Sequence, residues 1–376
     1  MESILNNELI EKIYWVILAG NLIVLTVTIV NLFTAPVLRN IFSPSEFQPK
    51  ISILIPARNE QENLPGSINS ILKQSYKNFE IIILDDNSTD ETLKIARNYE
   101  SENKNISVIE GKSLLAGWLG KNYACYQLSR AASGELFLFM DADVELAKHA
   151  ISYAVSEYSR KSVKMLTVFP TQKLRTFGER LVVPMMNWLL LAFLPLIMVY
   201  RSKNVKLAAA NGQFILIEKE AYENTGGHFA LKDSVVEDMS LVKKVKHGGG
   251  KVLTALGGDS VFCRMYDGFN SSVRGFSKNF FPGLGVNPVL FLLILMFFLL
   301  LFFIPFPLIP LKGFDLIVGV VLLQRIFISI VSRQNMIQNI LLHPLQMLIL
   351  MYVGISSFYL NITKKVKWKE RIIWKS

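Results

Sequence analysis

Residues 13–33 (IYWVILAGNLIVLTVTIVNLF) run without a single charge, and no other stretch limits the possible folds of this chain as much. At about 1.5 Å of rise per residue, a helix of this length reaches roughly 30 Å, the thickness of a bilayer's hydrocarbon core. Glu2, Glu8 and Glu11 precede the block and outnumber Lys12, whereas a cleaved signal peptide starts with basic residues. A retained anchor is therefore expected. Arg39 and Lys50 follow it, so the positive-inside rule puts the N-terminus outside and residue 50 onward on the cytoplasmic face.

Three more apolar blocks lie near the other end, at 289–309, 314–331 and 341–360. Pro305, Pro307 and Pro310 end or kink the first, and the second contains Gln324 and Arg325. Three crossings would leave the basic run 364–375 (KKVKWKERIIWK, with Trp368 and Trp374) outside, against the charge rule, and two would keep it inside. The block with Gln324 and Arg325 is the one expected to be interfacial or re-entrant. A further apolar stretch, 181–200, is broken by Pro184 and Pro195 and reads as an interfacial segment or a buried core helix.

Only 19% of the residues are charged, below the usual quarter of a soluble domain, and the apolar excess sits in these blocks. The net charge of +10 suits anionic lipid head groups and a diphosphate substrate, and no nucleic-acid partner is expected. The two cysteines, Cys125 and Cys263, have no metal-ligand spacing and read as reduced, buried thiols.

Between the blocks the chain has the character of a soluble α/β domain. Strands are expected at 51–55, 79–84, 106–109 and 135–140, and helices at 63–74, 90–99 (capped by Thr89-Asp90) and 122–132. Strands alternating with helices imply a mostly parallel sheet with helices on both faces. Ligands of such sheets gather at the carboxyl ends of the strands, where the acidic residues of this chain fall.

Asp141-Ala142-Asp143 leaves one apolar strand, and two carboxylates so spaced suit a hard divalent cation, Mg²⁺ or Mn²⁺, shared with a diphosphate. Asp85 and Asp86 leave another strand, where a carboxylate can accept from the N3–H of uracil. Ala57, Arg58 and Glu60 close the first strand at the same sheet edge. Glu237-Asp238 opens a helical stretch, and one of the two can serve as a general base or merely favour the helix dipole. His228 reads as a satisfied polar residue.

Taken in order, PARNE, DDNSTDET, DAD and GGH followed ten residues on by ED resemble the family 2 glycosyltransferases of the GT-A fold, over roughly residues 49–270. The segments GWLGK (117–121), NGQF (211–214), RMY (264–266), GFSKN (275–279) and HPL (343–345) are most similar to the bacterial 4,4′-diaponeurosporenoate and hopanoid-associated glycosyltransferase groups. The resemblance implies a UDP-sugar donor, with glucose as the sugar, and a metal-dependent, inverting transfer. It implies that Ala57, Arg58, Glu60 and Asp86 hold the uridine, that Asp141 faces ribose and metal, that Asp143 binds the metal and that Asp238 is the catalytic base. Lys121, Arg264 and Lys278 become candidates for neutralising the diphosphate. The chain lacks the Q-x-x-R-W of polymerising synthases, which favours a single transfer.

The expected organisation is an N-terminal anchor and linker (1–48), a GT-A domain (49–285) and C-terminal membrane segments with the basic tail (286–376), in a multi-pass protein of the cell membrane. An apolar lipid such as a carotenoid acid or hopanoid is the expected acceptor. A polyprenyl phosphate is the second reading, and an inactive nucleotide-binding membrane scaffold the third.

Overall fold

The structure, a computed structural model, describes residues 2–39, 47–368 and 371–372. It divides into two compact units. Part of the basic run 364–375, Trp374 included, lies outside the described residues.

The first unit, within residues 36–173, 196–265 and 367–376, is α/β. Its strands are β1 (Ile51–Ala57), β2 (Phe79–Asp85), β3 (Ile106–Glu110), β4 (Leu136–Met140), β5 (Val144–Leu146), β6 (Met165–Phe169), β7 (Thr171–Gln172), β8 (Phe214–Glu218), β9 (Val252–Leu256) and β10 (Val261–Cys263). Seven of them form one sheet in the order β3-β2-β1-β4-β8-β6-β9. β3, β2, β1 and β4 are all parallel, in register Ile53 to Ile81 and Ile53 to Leu138. β8 runs antiparallel to both β4 and β6. β5, β10 and β7 form a second, small sheet.

Parallel strands covered on both faces read as unbroken apolar runs, as ISILI and FEIIIL do here. Ile51, Ile53, Ile55, Ile81 and Ile83 pack against Leu64, Ile68 and Ile71 of helix Leu64–Leu72 and against Ala150, Ala154 and Val155 of helix Ala150–Lys161. Helix Gly120–Ala131 packs against β1 and β2. Each isoleucine so buried stabilises the sheet by about 1.5–3 kcal/mol. The N-cap of helix Thr92–Glu102 is Glu91, and just before it Asp90 Oδ1 accepts from Thr92 N at 3.0 Å, while Thr89 N donates to Asn59 Oδ1 at 2.9 Å.

The second unit, within residues 1–35, 174–195 and 266–366, is helical. Three of its helices are long and apolar enough to cross a membrane: Ile10–Thr34, Phe314–Val331 and His343–Ile362. A fourth candidate is a pair, Gly268–Leu284 and Pro288–Phe302, bent by 114°. Beyond Phe302 the chain breaks into turns at the three prolines, so the block expected as one span, 289–309, is a shorter helix with an irregular end.

Helix Phe314–Val331 lies parallel to Ile10–Thr34: Tyr14 meets Phe314 at 5.6 Å between ring centres, and Gln324 Nε2 donates to Asn21 O at 2.8 Å. Asn21 Nδ2 in turn donates to Leu301 O at 3.0 Å. The expectation that Gln324 and Arg325 mark an interfacial segment is thereby corrected. Both side chains are buried among helices and held by polar partners, and the break falls instead in the 268–302 pair. Helix His343–Ile362 runs antiparallel to Pro288–Phe302, with His343 against Phe302 O and Phe358 stacked on Phe291.

The stretch 181–200 is cut by its prolines. Helix Pro184–Phe193 is core: Trp188, Leu191 and Ala192 are fully buried, Trp188 lies edge-on to Phe298 and Phe302, and Asn31 Nδ2 donates to the carbonyls of Leu191 and Leu194.

Candidate active site

In the α/β unit the strand order reverses at β1, with β2 on one side and β4 on the other, and the two neighbours end at the same edge. A crevice outside the carboxyl ends is dictated at such a switch point. A small cavity opens there, walled by Pro56 and Met140 from the strand ends, Lys121 and Cys125 from helix Gly120–Ala131, and Gly212, His228, Glu237 and Asp238.

Lys121 organises this cavity. Its Nζ lies 2.7 Å from Asp141 Oδ1, 2.9 Å from Asp141 Oδ2 and 3.5 Å from Glu237 Oε1. Burial opposes its charge, but the Asp141 and Glu237 carboxylates prevail and hold the ammonium well above the ordinary lysine range. Gly212 leaves room for this contact, since a Cβ there would stand 3.1 Å from Nζ and 3.4 Å from Glu237 Oε1.

Asp238 shares the wall. It lies in the first turn of helix Glu237–His247, and its carboxylate accepts from Met239 N at 2.7 Å and Gly212 N at 3.0 Å. Burial, then the charge of Glu237, push its carboxyl up to about 7 against the pull of those donors and of Lys121.

Asp143 sits two residues beyond Asp141. Its Oδ1 is buried and has no hydrogen-bond partner among the described residues. Burial, then the charges of Asp141 and Glu60, push it up to about 7 despite a hydrogen bond from the Cys263 thiol. The thiol itself is pushed up by burial and by the Asp143 charge, and Gln213 Nε2 donates to it at 2.7 Å. An orphaned carboxylate oxygen among like charges is a place that a hard cation fits. Asp143 and Asp141 are the residues that would hold one.

At the end of β2, Asp86 is buried and its N–H donates to Ala57 O at 2.7 Å, tying two of the expected uridine positions together. Arg58 Nη1 donates to the carbonyls of Asp86, at 2.6 Å, and Asn87, at 3.2 Å, so Arg58 braces the β2 loop. Glu60 accepts from Asn63 Nδ2 at 2.8 Å. Arg264 follows β10 directly, half-buried. Lys278 lies on helix Gly268–Leu284 of the helical unit. His228 is bonded to Tyr222 Oη at 2.8 Å and is pushed down to about 3 by burial and then by Lys121, so it is a neutral structural residue.

Several members of this site were not singled out from the sequence. In the sequence Glu237 is only an alternative to Asp238, whereas in the structure it faces Lys121. Gly212, Gln213 and Cys263 carry no catalytic signature by type. Their signal lay in position, since NGQF and the CRMY run flank the strands that bring them in. Asp85 Oδ2 accepts from Ser88 N at 3.1 Å while its Oδ1 is buried without a partner among the described residues.

A parallel sheet with carboxylates at its switch point, extended by the antiparallel β8, is the GT-A glycosyltransferase fold. The chain aligns with the mannosyltransferase PcManGT of Pyrobaculum calidifontis, solved with GDP-Man and Mn²⁺, at a TM-score of 0.54 and 15% identity, over 94% of this chain and 98% of that one. Residues 52–226 match the family described as Glycosyl transferase family 2, and the chain carries a domain of that family. It is 30% identical to the 4,4′-diaponeurosporenoate glycosyltransferase of Staphylococcus haemolyticus (strain JCSC1435) over 241 residues, 63% of each chain. With the enzyme of the same name from Staphylococcus aureus (strain USA300) it shares 30% identity over 239 residues, 62% of each. The match thus spans a little under two thirds of these curated relatives.

Proposed function

We propose that this chain is a membrane-bound, inverting glycosyltransferase that moves one sugar, glucose, from a UDP-sugar to an apolar lipid acceptor such as a carotenoid acid or hopanoid. The observation that carries this reading is the half-buried Asp238, pushed up to about 7, on the same cavity wall as the Lys121–Asp141 pair. A general base acts best when it titrates near the working pH. The names of the staphylococcal relatives support a carotenoid acid as acceptor.

In this reading Ala57, Arg58, Glu60 and Asp86 form the uridine end of the crevice, and Lys121 and Arg264 bring positive charge to the diphosphate. Asp141 and Asp143 would hold Mg²⁺ or Mn²⁺, which when bound neutralises charge on the departing diphosphate. Asp238, fixed by two backbone N–H groups, accepts the proton of an acceptor hydroxyl as that oxygen attacks the anomeric carbon from the face opposite the UDP. A carboxylic acid acceptor is already ionised, with a pKa of about 4, and then Asp238 positions it.

The helix directions support an orientation. Parallel spans Ile10–Thr34 and Phe314–Val331 require a return crossing between them, which the stretch from Pro288 to Lys312 supplies. With Arg39 and Lys50 on the cytoplasmic side, the α/β unit is cytoplasmic, and helix His343–Ile362, running back along Pro288–Phe302, delivers the basic tail to that same side.

The test is transfer by the purified full-length chain to a lipid acid and to a lipid alcohol, read as a hexose increment by mass spectrometry. Asp238→Asn is expected to lose roughly 10²–10⁴-fold with the alcohol and clearly less with the acid. Equal, near-complete loss with both would remove the base assignment, and no increment in wild type with any UDP-hexose would remove the function.

A further inference from the structure

Arg325 is a large fixed charge in the wrong solvent. It lies within the apolar helix Phe314–Val331 at 1% exposure. A guanidinium cannot escape burial by losing its proton, so it needs compensation from its neighbours. Those neighbours supply little. One nitrogen, Nη2, donates to the neutral amide of Gln346, while Nε and Nη1 are buried with no hydrogen-bond partner among the described residues. Among the described residues no carboxylate lies within ion-pair distance of it.

The surrounding shell is polar but neutral. Gln346 Nε2 donates to Arg180 O at 2.8 Å and to Asn339 Oδ1 at 3.3 Å, and Asn339 Nδ2 donates to Ser329 Oγ at 3.0 Å. His343 Nε2 donates to Phe302 O at 2.9 Å, and its Nδ1 has no partner among the described residues. Gln346 is in the first turn of helix His343–Ile362, so the end of the macrodipole nearest Arg325 is the positive one, which adds to the charge instead of cancelling it. A buried cation, two open donors, a helix N-terminus and no acid within reach together describe an anion site that the described residues do not fill.

Depth indicates where the anion comes from. Arg325 is six residues from the end of its helix at Val331, or about 9 Å along the axis. Because this helix is parallel to Ile10–Thr34, that end is the one at which Thr34 leaves the unit. A charge so placed in a membrane helix is within reach of lipid head groups, and arginine is suited to the flat, charged oxygens of carboxylate or phosphate.

We propose that Arg325, against the first turn of helix His343–Ile362, binds the oxyanion head group, carboxylate or phosphate, of a lipid. The inference rests on the membrane reading of the helical unit and not on the glycosyl-transfer chemistry, so a binding measurement without donor sugar tests it separately.

The experiment is native mass spectrometry of the full-length chain in non-ionic detergent, titrated with palmitate, methyl palmitate, phosphatidic acid, diacylglycerol or inorganic phosphate. Saturable binding of palmitate or of phosphatidic acid is expected, at least about tenfold tighter than of the uncharged partner lipid, and lost to the same extent in Arg325→Gln but largely kept in Arg325→Lys. The carboxylate and phosphate arms identify the head group, and the inorganic phosphate arm tests a free anion. Equal binding of methyl palmitate and diacylglycerol, occupancy by inorganic phosphate alone, or unchanged binding by Arg325→Gln would each overturn the proposal. The comparison of charged with uncharged lipid uses wild-type protein, so it stands even if a substitution at residue 325 disturbs folding.

Discussion

Removing the ammonium of Lys121 should expose how much of the α/β unit is held against its own carboxylates. In Lys121→Met the side chain keeps most of its length and loses its charge. Asp141, bonded through both oxygens at 2.7 and 2.9 Å, and Glu237 at 3.5 Å then face each other and Asp238 without a cation. The three side chains are only 24%, 27% and 14% exposed, so solvent screens the loss weakly. Breaking a buried pair costs roughly 3–5 kcal/mol, and a discount for the quarter that is exposed leaves about 3 kcal/mol. In a unit of this size that lowers Tm by about 6–12 °C.

The chain itself offers the assay. Its two cysteines are both buried in the α/β unit, so a thiol-reactive fluorogenic dye reports the melting of that unit alone. In an Asp141→Asn background the same lysine substitution should cost about half as much, because only the Glu237 contact remains to be lost. A Tm within about 1 °C of wild type at pH 7.5 would refute the account of Lys121 as the counter-charge of this site.

Other consequences can be measured on the same preparation. Asp143 and Asp238 both have carboxyls raised to about 7, so the stability they contribute is fully present below the unfolded value near 3.8 and is lost as pH rises through 7. The α/β unit should therefore melt lower at pH 8 than at pH 6, and Asp143→Asn should flatten that slope. Mg²⁺ or Mn²⁺ should raise Tm more at pH 8 than at pH 6, with the gain absent in Asp143→Ala; a gain that survives the substitution would place the cation elsewhere. Gly134→Ala should destabilise the unit by about 2–3 kcal/mol, because its Cβ would come within 2.6 Å of Ser52 N and 2.7 Å of Lys50 O, backbone atoms fixed beside β1. A Tm unchanged by this substitution would show that the β1 edge yields.

What the sequence discloses follows how local each feature is. β1, β2 and β4 are legible because a doubly covered strand must be apolar throughout, and the carboxylates that end such runs stand out against them. β8 is equally apolar, but its antiparallel course depends on which strands it meets, and nothing within FILIE records that. The pairing of Lys121 with both Asp141 and Glu237 joins residues up to 116 positions apart, so no spacing rule finds it. Gln324 and Arg325 mislead for the same reason. Judged alone they argue against a buried helix, and their polar partners, Asn21 for Gln324 and Gln346 for Arg325, are brought in from other helices.

The path of the backbone between the units has a consequence for how the protein is made. The chain leaves the α/β unit after Lys173, contributes residues 174–195 to the helical unit, re-enters at Leu196 and departs again after Met265. β8, which fills the gap between β4 and β6, is synthesised only after that detour. The apolar segment of the helical unit is thus made before the strand that completes the sheet, and its partners Phe298 and Phe302 are made after it. Trimming the gene to residues 49–285, the natural way to seek a water-soluble fragment, would leave Trp188 and its neighbours without Phe298 and Phe302 to cover them.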